Sequence, residues 1–371
     1  MSGAGRTGIA AVLVLALAGG LLSAAAGTGG TAATAATAAA PNLSPRQLAG
    51  LRVITGFEGR KVPKGLRRMI SAGDVSGVIL FSDNVGGRAQ VRSLTRTLQR
   101  IPRPAKVDQP LLVMVDQEGG QVRRLPGPPK PSAEVVGRRG AASARKLGRA
   151  TGKSLSGMGV NVNLAPVLDV PRRGGFIDQQ QRGYSRKAGR VGRVGTAFAA
   201  GMQSRGVAAT AKHFPGLGAA RRTTDEQPVT LRLRRSVLRR VDEAPYRRFV
   251  RARGSLVMLS LARYPALGGG PAALSKRIAT RELRVRLGFD GVTISDALGA
   301  PAATAVGGTA KVALRCARAG TDLLLYSDSG SAARAGRAIR KAIAAGSLPR
   351  ARAQVSADRV LALRRGLRKN K

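Results

Sequence analysis

The chain has 371 residues, enough for two ordinary domains or one large α/β domain, and 43% of them are hydrophobic, which excludes wholesale disorder. One cysteine (Cys316), one histidine (His213), 3% aromatics and no Trp exclude a disulfide framework, a multi-thiolate metal site and histidine-rich metal clusters, so no metal and no cofactor are expected. Against 19 Asp and Glu stand 64 Lys and Arg, a formal charge of +45; they are spread from Arg46 to Arg368 without aromatic stacking motifs, which argues against specific nucleic-acid binding and leaves non-specific attraction to anionic cell-envelope polymers.

In chain order, Arg6, the apolar run 9–22 and the small residues Ala24, Ala25 and Ala26 predict a signal peptide over 1–26, with an uncleaved membrane anchor as the alternative. The expected location is secreted or in the cell envelope. Residues 27–45 are rich in Thr, Ala and Gly, contain Pro41 and Pro45, and read as a flexible linker. From Arg46 a short β-rich apolar run, a loop and a stretch of helical spacing alternate. The runs are 52–57, 77–81, 111–115, 160–167, 207–211, 255–260, 291–295 and 322–326, apolar on both faces as parallel strands covered by helices are. Val91, Leu94, Leu98 and Ile101 recur at helical steps, as do Val312, Cys316 and Ala319, which makes Cys316 a buried structural thiol. Eight units predict a single-domain TIM-like (β/α)₈ barrel over 46–363, with a doubly wound sheet as the alternative and a basic tail over 364–371. A monomer is expected.

The few carboxylates are informative. Asp116 and Glu118, Asp169, and Asp296 each follow a predicted strand, at the end where barrel active sites are built. Asp169 is expected only to cap a helix or pair with an arginine. Carboxylates with Arg124, Arg182 and Lys212 suit a neutral, polyhydroxylated ligand. Two carboxyl groups flanking one bond are the minimum equipment for glycoside hydrolysis, one to attack and one to move a proton. The phosphate-loop, G-x-S-x-G and H-E-x-x-H patterns are absent, and Gly216–Leu217–Gly218 reads as a tight turn.

Four segments taken together are similar to the glycoside hydrolase family 3 N-terminal domain. They are V-D-Q-E-G-G at 115–120 followed by Arg124, N-L-A-P-V-L-D-V at 163–170, K-H-F-P-G at 212–216, and G-F-D-G-V at 288–292 leading to Ser295–Asp296. The nearest branch is the single-domain β-N-acetylhexosaminidases of bacterial peptidoglycan recycling. The resemblance implies a barrel, a retaining mechanism with Asp296 as nucleophile, and sugar contacts from Asp116, Arg124, Arg182, Lys212 and His213. It also allows glucosides and xylosides. The chain has Ser295–Asp296–Ala297 where the family usually has Ser-Asp-Asp.

That branch carries a D-S-H triplet in the loop after K-H-F-P-G, whose His moves the proton. Here Thr223 stands in the place of its Asp and Asp225 in the place of its His; with His213 already in the strand, a His–Asp dyad is not expected. Three readings follow: Asp225 or Glu226 supplies the proton directly; Asp225 binds sugar while catalysis is slow; or the chain is a saccharide-binding protein of the envelope. The first is preferred, although Arg221 and Arg222 would oppose the raised pKa an acid needs. It asks Asp225 and Asp296 to close to roughly 5–5.5 Å.

Overall fold

The computed structural model describes residues 42–367. The predicted signal peptide, all of the linker up to Pro41 and the end of the tail lie outside them. Among the described residues no helix is long and apolar enough to cross a membrane.

Eight strands are all parallel: β1 (Val53–Thr55), β2 (Gly77–Leu80), β3 (Leu112–Val115), β4 (Val162–Asn163), β5 (Ala208–Phe214), β6 (Leu256–Leu259), β7 (Val292–Ser295) and β8 (Leu324–Tyr326). They pair in sequence order, with β8 returning to β1 in the register Val53↔Leu324. The ring closes between β7 and β8 through the bridge Ile294↔Leu323, with Leu323 N donating to Thr293 O at 2.8 Å and Ser295 N to Leu323 O at 2.9 Å. Closure distinguishes this barrel from an open doubly wound sheet, whose edge strands stay unpaired.

Every residue of the eight strands is buried, one face against the helices and the other inside the barrel. The helix Arg88–Arg100 buries Val91, Leu94 and Leu98 and turns Arg92, Arg96 and Arg100 to solvent. Each such Leu or Val contributes about 1.5–3 kcal/mol by leaving water. The helix Thr309–Ala319 buries Val312, Ala313 and Cys316, and burial pushes the Cys316 thiol up to about 12, so it stays protonated and inert.

Both predicted domain ends shift. The fold begins before Arg46: Leu43 is fully buried, and Ser44 caps the helix Pro45–Gly50, its hydroxyl accepting from Gln47 N while the Gln47 side chain accepts from Ser44 N. Pro45 reads as a linker residue, yet at the first helical position its missing N–H costs nothing. The last helix, Arg350–Gly366, continues through part of the predicted tail. Arg364 is no tail residue; it is 1% exposed and donates to the carbonyls of Pro110 and Val107, both at 2.9 Å.

Around the mouth, regular pairing of β4 stops two residues after it starts, and Val167 rejoins through a bridge to Lys212. Pro166 lies between, without an N–H to give to a ladder. The strand β5 runs three residues past its predicted end at Ala211. Its register against β6 shifts between Ala211 and Phe214, and the consecutive residues Lys212 and His213, joined by a cis peptide, both face the mouth.

Candidate active site

The C-terminal ends of the strands surround a cavity of ≈ 470 Å³. All seven predicted site residues, Asp116, Arg124, Arg182, Lys212, His213, Asp225 and Asp296, line it. Ile79, Met258 and Leu325 from the strands, and Leu164 just after β4, supply apolar lining. Asp116, Glu118, Asp225, Glu226 and Asp296 set five carboxylates against three cations, so this recess runs opposite to the charge of the whole chain.

One wall grows from β3. Asp116 follows it directly, and the chain then folds into a two-stranded antiparallel ribbon, Gln117–Gly119 with Val122–Arg123. The turn needs φ of 102° at Gly119 and 57° at Gly120, and a Cβ at Gly119 would stand 2.4 Å from Pro131 O. Gln117 points away from the cavity and ties down the next segment: its amide donates to Leu125 O and Pro128 O and accepts from Leu125 N. That leaves Asp116, Glu118 and Arg124 on the cavity side.

These charges interlock. Lys212 Nζ lies 2.5 Å from Asp116 Oδ1 and 2.6 Å from Glu118 Oε1. Arg182 donates to both oxygens of Glu118, each at 2.8 Å, and its guanidinium sits 5.6 Å from the centre of the Phe176 ring. Burial alone would raise the Glu118 carboxyl, but the Arg182 and Lys212 cations outweigh it and hold that carboxyl far below the usual range. Burial acts on Lys212 in the opposite sense and is outweighed by Asp116 and Glu118, so its pKa is raised. Both groups are therefore ionised at neutral pH.

His213 stands beside Lys212, and here a sequence expectation is corrected. Asp169 neither caps a helix nor pairs with an arginine. It is fully buried and accepts from three groups: His213 Nδ1 at 2.7 Å, His213 N at 3.2 Å and Leu217 N at 2.6 Å. A His–Asp dyad does exist, between the end of β5 and the segment after β4 rather than within the loop after β5. Asp169 fixes the ring and leaves Nε2 as the nitrogen free to meet a ligand.

The same cavity holds the two residues predicted to do chemistry. Asp296 follows β7, anchored by its N–H to Leu259 O at 3.1 Å, and its Oδ1 accepts from Ala297 N at 2.8 Å. Burial pushes its carboxyl up and the charge of Asp225 adds to that, against the opposing pull of His213 and Lys212. Asp225 comes from the loop 217–226. Gly218, whose Cβ would stand 2.0 Å from Val170 O, marks a close backbone approach and not a phosphate cradle. Beyond it Phe176 N donates to Ala220 O at 2.8 Å and Asp225 N to Thr223 Oγ1 at 3.1 Å. Thr223 is buried, whereas Arg221, Arg222, Asp225 and Glu226 are exposed.

Two working residues go unassigned by sequence reasoning: Glu118, which clamps Lys212 and Arg182, and Asp169, which holds His213. Both were visible as strand-end carboxylates; only their partners, 64 and 94 positions away for Glu118 and 44 for Asp169, were hidden.

The family model described as the glycosyl hydrolase family 3 N-terminal domain matches residues 45–363. An "uncharacterized secreted glycosyl hydrolase" of Arthroderma benhamiae is 38% identical over 327 residues, covering 85% of this chain and 92% of that one. The β-hexosaminidase of Alkalilimnicola ehrlichii is 34% identical over 285 residues, 74% of this chain and 79% of that one. Among solved structures, a family 3 β-N-acetylglucosaminidase from Paenibacillus is 34% identical with a TM-score of 0.83, over 88% of this chain but only 63% of that chain. The β-N-acetylhexosaminidase of Beutenbergia cavernae is 30% identical with a TM-score of 0.81, over 87% and 99%. The chain belongs to glycosyl hydrolase family 3, as a glycosidase built on that family's N-terminal barrel domain.

Proposed function

We propose that the chain is an exported, retaining β-N-acetylhexosaminidase that releases terminal sugars from cell-wall or chitin-type saccharides. The observation that carries this reading is the meeting of Asp296 and Asp225 at one cavity, which Asp116, Arg124, Arg182, Lys212 and His213 also line. Asp296 attacks the anomeric carbon and forms a covalent glycosyl-enzyme while Asp225 gives a proton to the leaving oxygen; water then attacks the same carbon, giving its proton back to Asp225. Asp116, Arg124, Arg182, Lys212 and His213 take the sugar hydroxyls and the acyl group. The names carried by the Paenibacillus and Beutenbergia proteins support the N-acetyl preference, that of the Alkalilimnicola protein a hexosaminide substrate, and that of the Arthroderma protein export.

A panel of aryl β-glycosides, with intact mass after a slow fluorosugar inactivator, tests this reading. Turnover of the N-acetylglucosaminide and an adduct on Asp296 are expected; an adduct elsewhere overturns the assignment. The exposure of Asp225, with no side chain holding its carboxylate among the described residues, favours a second reading: a saccharide-binding protein of weakened activity. It predicts binding of chitobiose without hydrolysis of activated substrates.

A further inference from the structure

Away from the mouth, a cleft of ≈ 230 Å³ is lined by Arg235, Arg239, Arg277, Arg281, Arg286, Leu267 and Glu282. We propose that this cleft is a binding site for a phosphate-type oxyanion, a phosphate monoester or phosphodiester, separate from the sugar cavity.

Abundant arginine does not by itself account for it. Lysine and arginine make up 64 of 371 residues, whereas five of the seven lining positions here are arginine. Two other outer clefts contain fewer cations per wall, and their acids pair with them. One holds Glu134 with Arg138 at 2.7 Å and Asp178 with Arg186 at 2.8 Å; the other holds Asp74 with Arg46 at 2.7 Å. In the arginine cleft, Glu282 alone serves two guanidiniums, Arg239 at 2.6 Å and Arg286. Arg286 turns its other side inward to the buried Glu243. Among the described residues no carboxylate pairs with Arg235, Arg277 or Arg281.

Several of these side chains are seated. Arg235 Nε donates to Ala266 O at 3.0 Å. The stem of Arg277 lies over Gly268, where a Cβ would meet its Cδ at 2.7 Å, and φ at Gly268 is 108°. Burial, and then repulsion from Arg239, lower the pKa of Arg286; five arginines against Glu282 and the buried Glu243 leave the cleft with a surplus of positive charge. The guanidiniums come from two walls, Arg235 and Arg239 from the helical segment 235–242 and the rest from the helix Arg277–Arg286. A planar carboxylate offers two oxygens in one plane. A tetrahedral phosphate offers oxygens to both walls and takes forked donors from each. A water claims about 30 Å³, so the volume holds such a group with hydration to spare.

Calorimetric titration tests this with inorganic phosphate and with a short glycerol-phosphate oligomer, on the full chain and two double variants of equal charge loss. Arg277→Ser/Arg281→Ser removes two of the three arginines of the cleft that no carboxylate pairs with; Arg92→Ser/Arg96→Ser removes two exposed arginines from another helix. One saturable site is expected, with affinity falling about tenfold or more in the first variant and less than about twofold in the second. Tighter binding of the oligomer than of phosphate identifies a polymer ligand; equal binding identifies a free phosphate group. Equal losses in both variants, or no saturable binding of either probe, overturn the proposal. Melting curves report folding, and Arg277→Lys/Arg281→Lys, which keeps the charge and removes the forks, gives an intermediate loss if the site is built as described.

Discussion

The two sides of the mouth are held in opposite ways. On the β3–β5 side every charged group but Arg124 has a fixed partner: Asp116 and Glu118 on Lys212, Arg182 on Glu118, His213 on Asp169. On the loop that follows β5, by contrast, Asp225 is exposed, its N–H donating to the Thr223 hydroxyl. Under the proposed roles, the contrast separates two needs. Groups that recognise a sugar gain from being ionised and immobile before it arrives, because the ordering cost is met during folding. A proton donor must approach an oxygen that moves during the reaction, and an exposed loop permits that approach.

Four substitutions break or sharpen this contrast. Asp296→Asn removes the oxygen proposed to attack and is expected to lower kcat/KM for an aryl N-acetyl-β-glucosaminide by about 10⁴-fold or more; an unchanged rate would take the chemistry away from β7. Glu118→Gln leaves two buried cations without their shared carboxylate, and a loss of about 3–5 kcal/mol in urea unfolding is expected. A loss below about 1 kcal/mol would mean the wall is not the preorganised side. Asp225→Ala should leave unfolding unchanged to within about 0.5 kcal/mol while slowing poor leaving groups by about 10²–10⁴-fold and activated aryl glycosides far less. Equal slowing of both substrate types removes Asp225 from the acid role.

The smallest effect concerns Asp242, which lies beneath the turn joining the two sides: a Cβ at Gly216 would stand 2.7 Å from that of Asp242. Burial pushes its carboxyl up to about 6, against the pull of Arg172 at 2.7 Å. Its folded-state pKa lies above the unfolded value, so the native state holds this proton more tightly. The stabilisation is full below about pH 4 and falls as pH rises through about 6, by about 3 kcal/mol in all. Asp242→Asn should flatten that stretch of the stability curve; a slope unchanged in the variant assigns it to another group.

The strands were legible because parallel strands in a barrel are apolar on both faces, a pattern written in consecutive residues such as 111–115 and 255–260. Helix faces were legible for the same reason, as Val91, Leu94 and Leu98 attest. The strand-end carboxylates could also be found, since barrel closure brings every such end to one mouth. Misreadings came where a residue's meaning depends on a distant partner. Arg364 reads as tail until the carbonyls of Val107 and Pro110 are seen around it. Asp169 reads as a cap until His213 and Leu217 are placed against it.

The sequence by itself therefore determined the repeating unit and which carboxylates stand at strand ends, because these rest on local periodicity and on the order of segments; closure of the ring, which separates the barrel from a doubly wound sheet, came from the structure. Tertiary structure alone decided which charge meets which: that Glu118 holds Lys212 and Arg182 together, that Asp169 orients His213, and that five arginines from two helical segments share one cleft. Electrostatic energy depends on distances across space of a few ångströms, and a one-dimensional order of residues carries no such distance until the ring has closed.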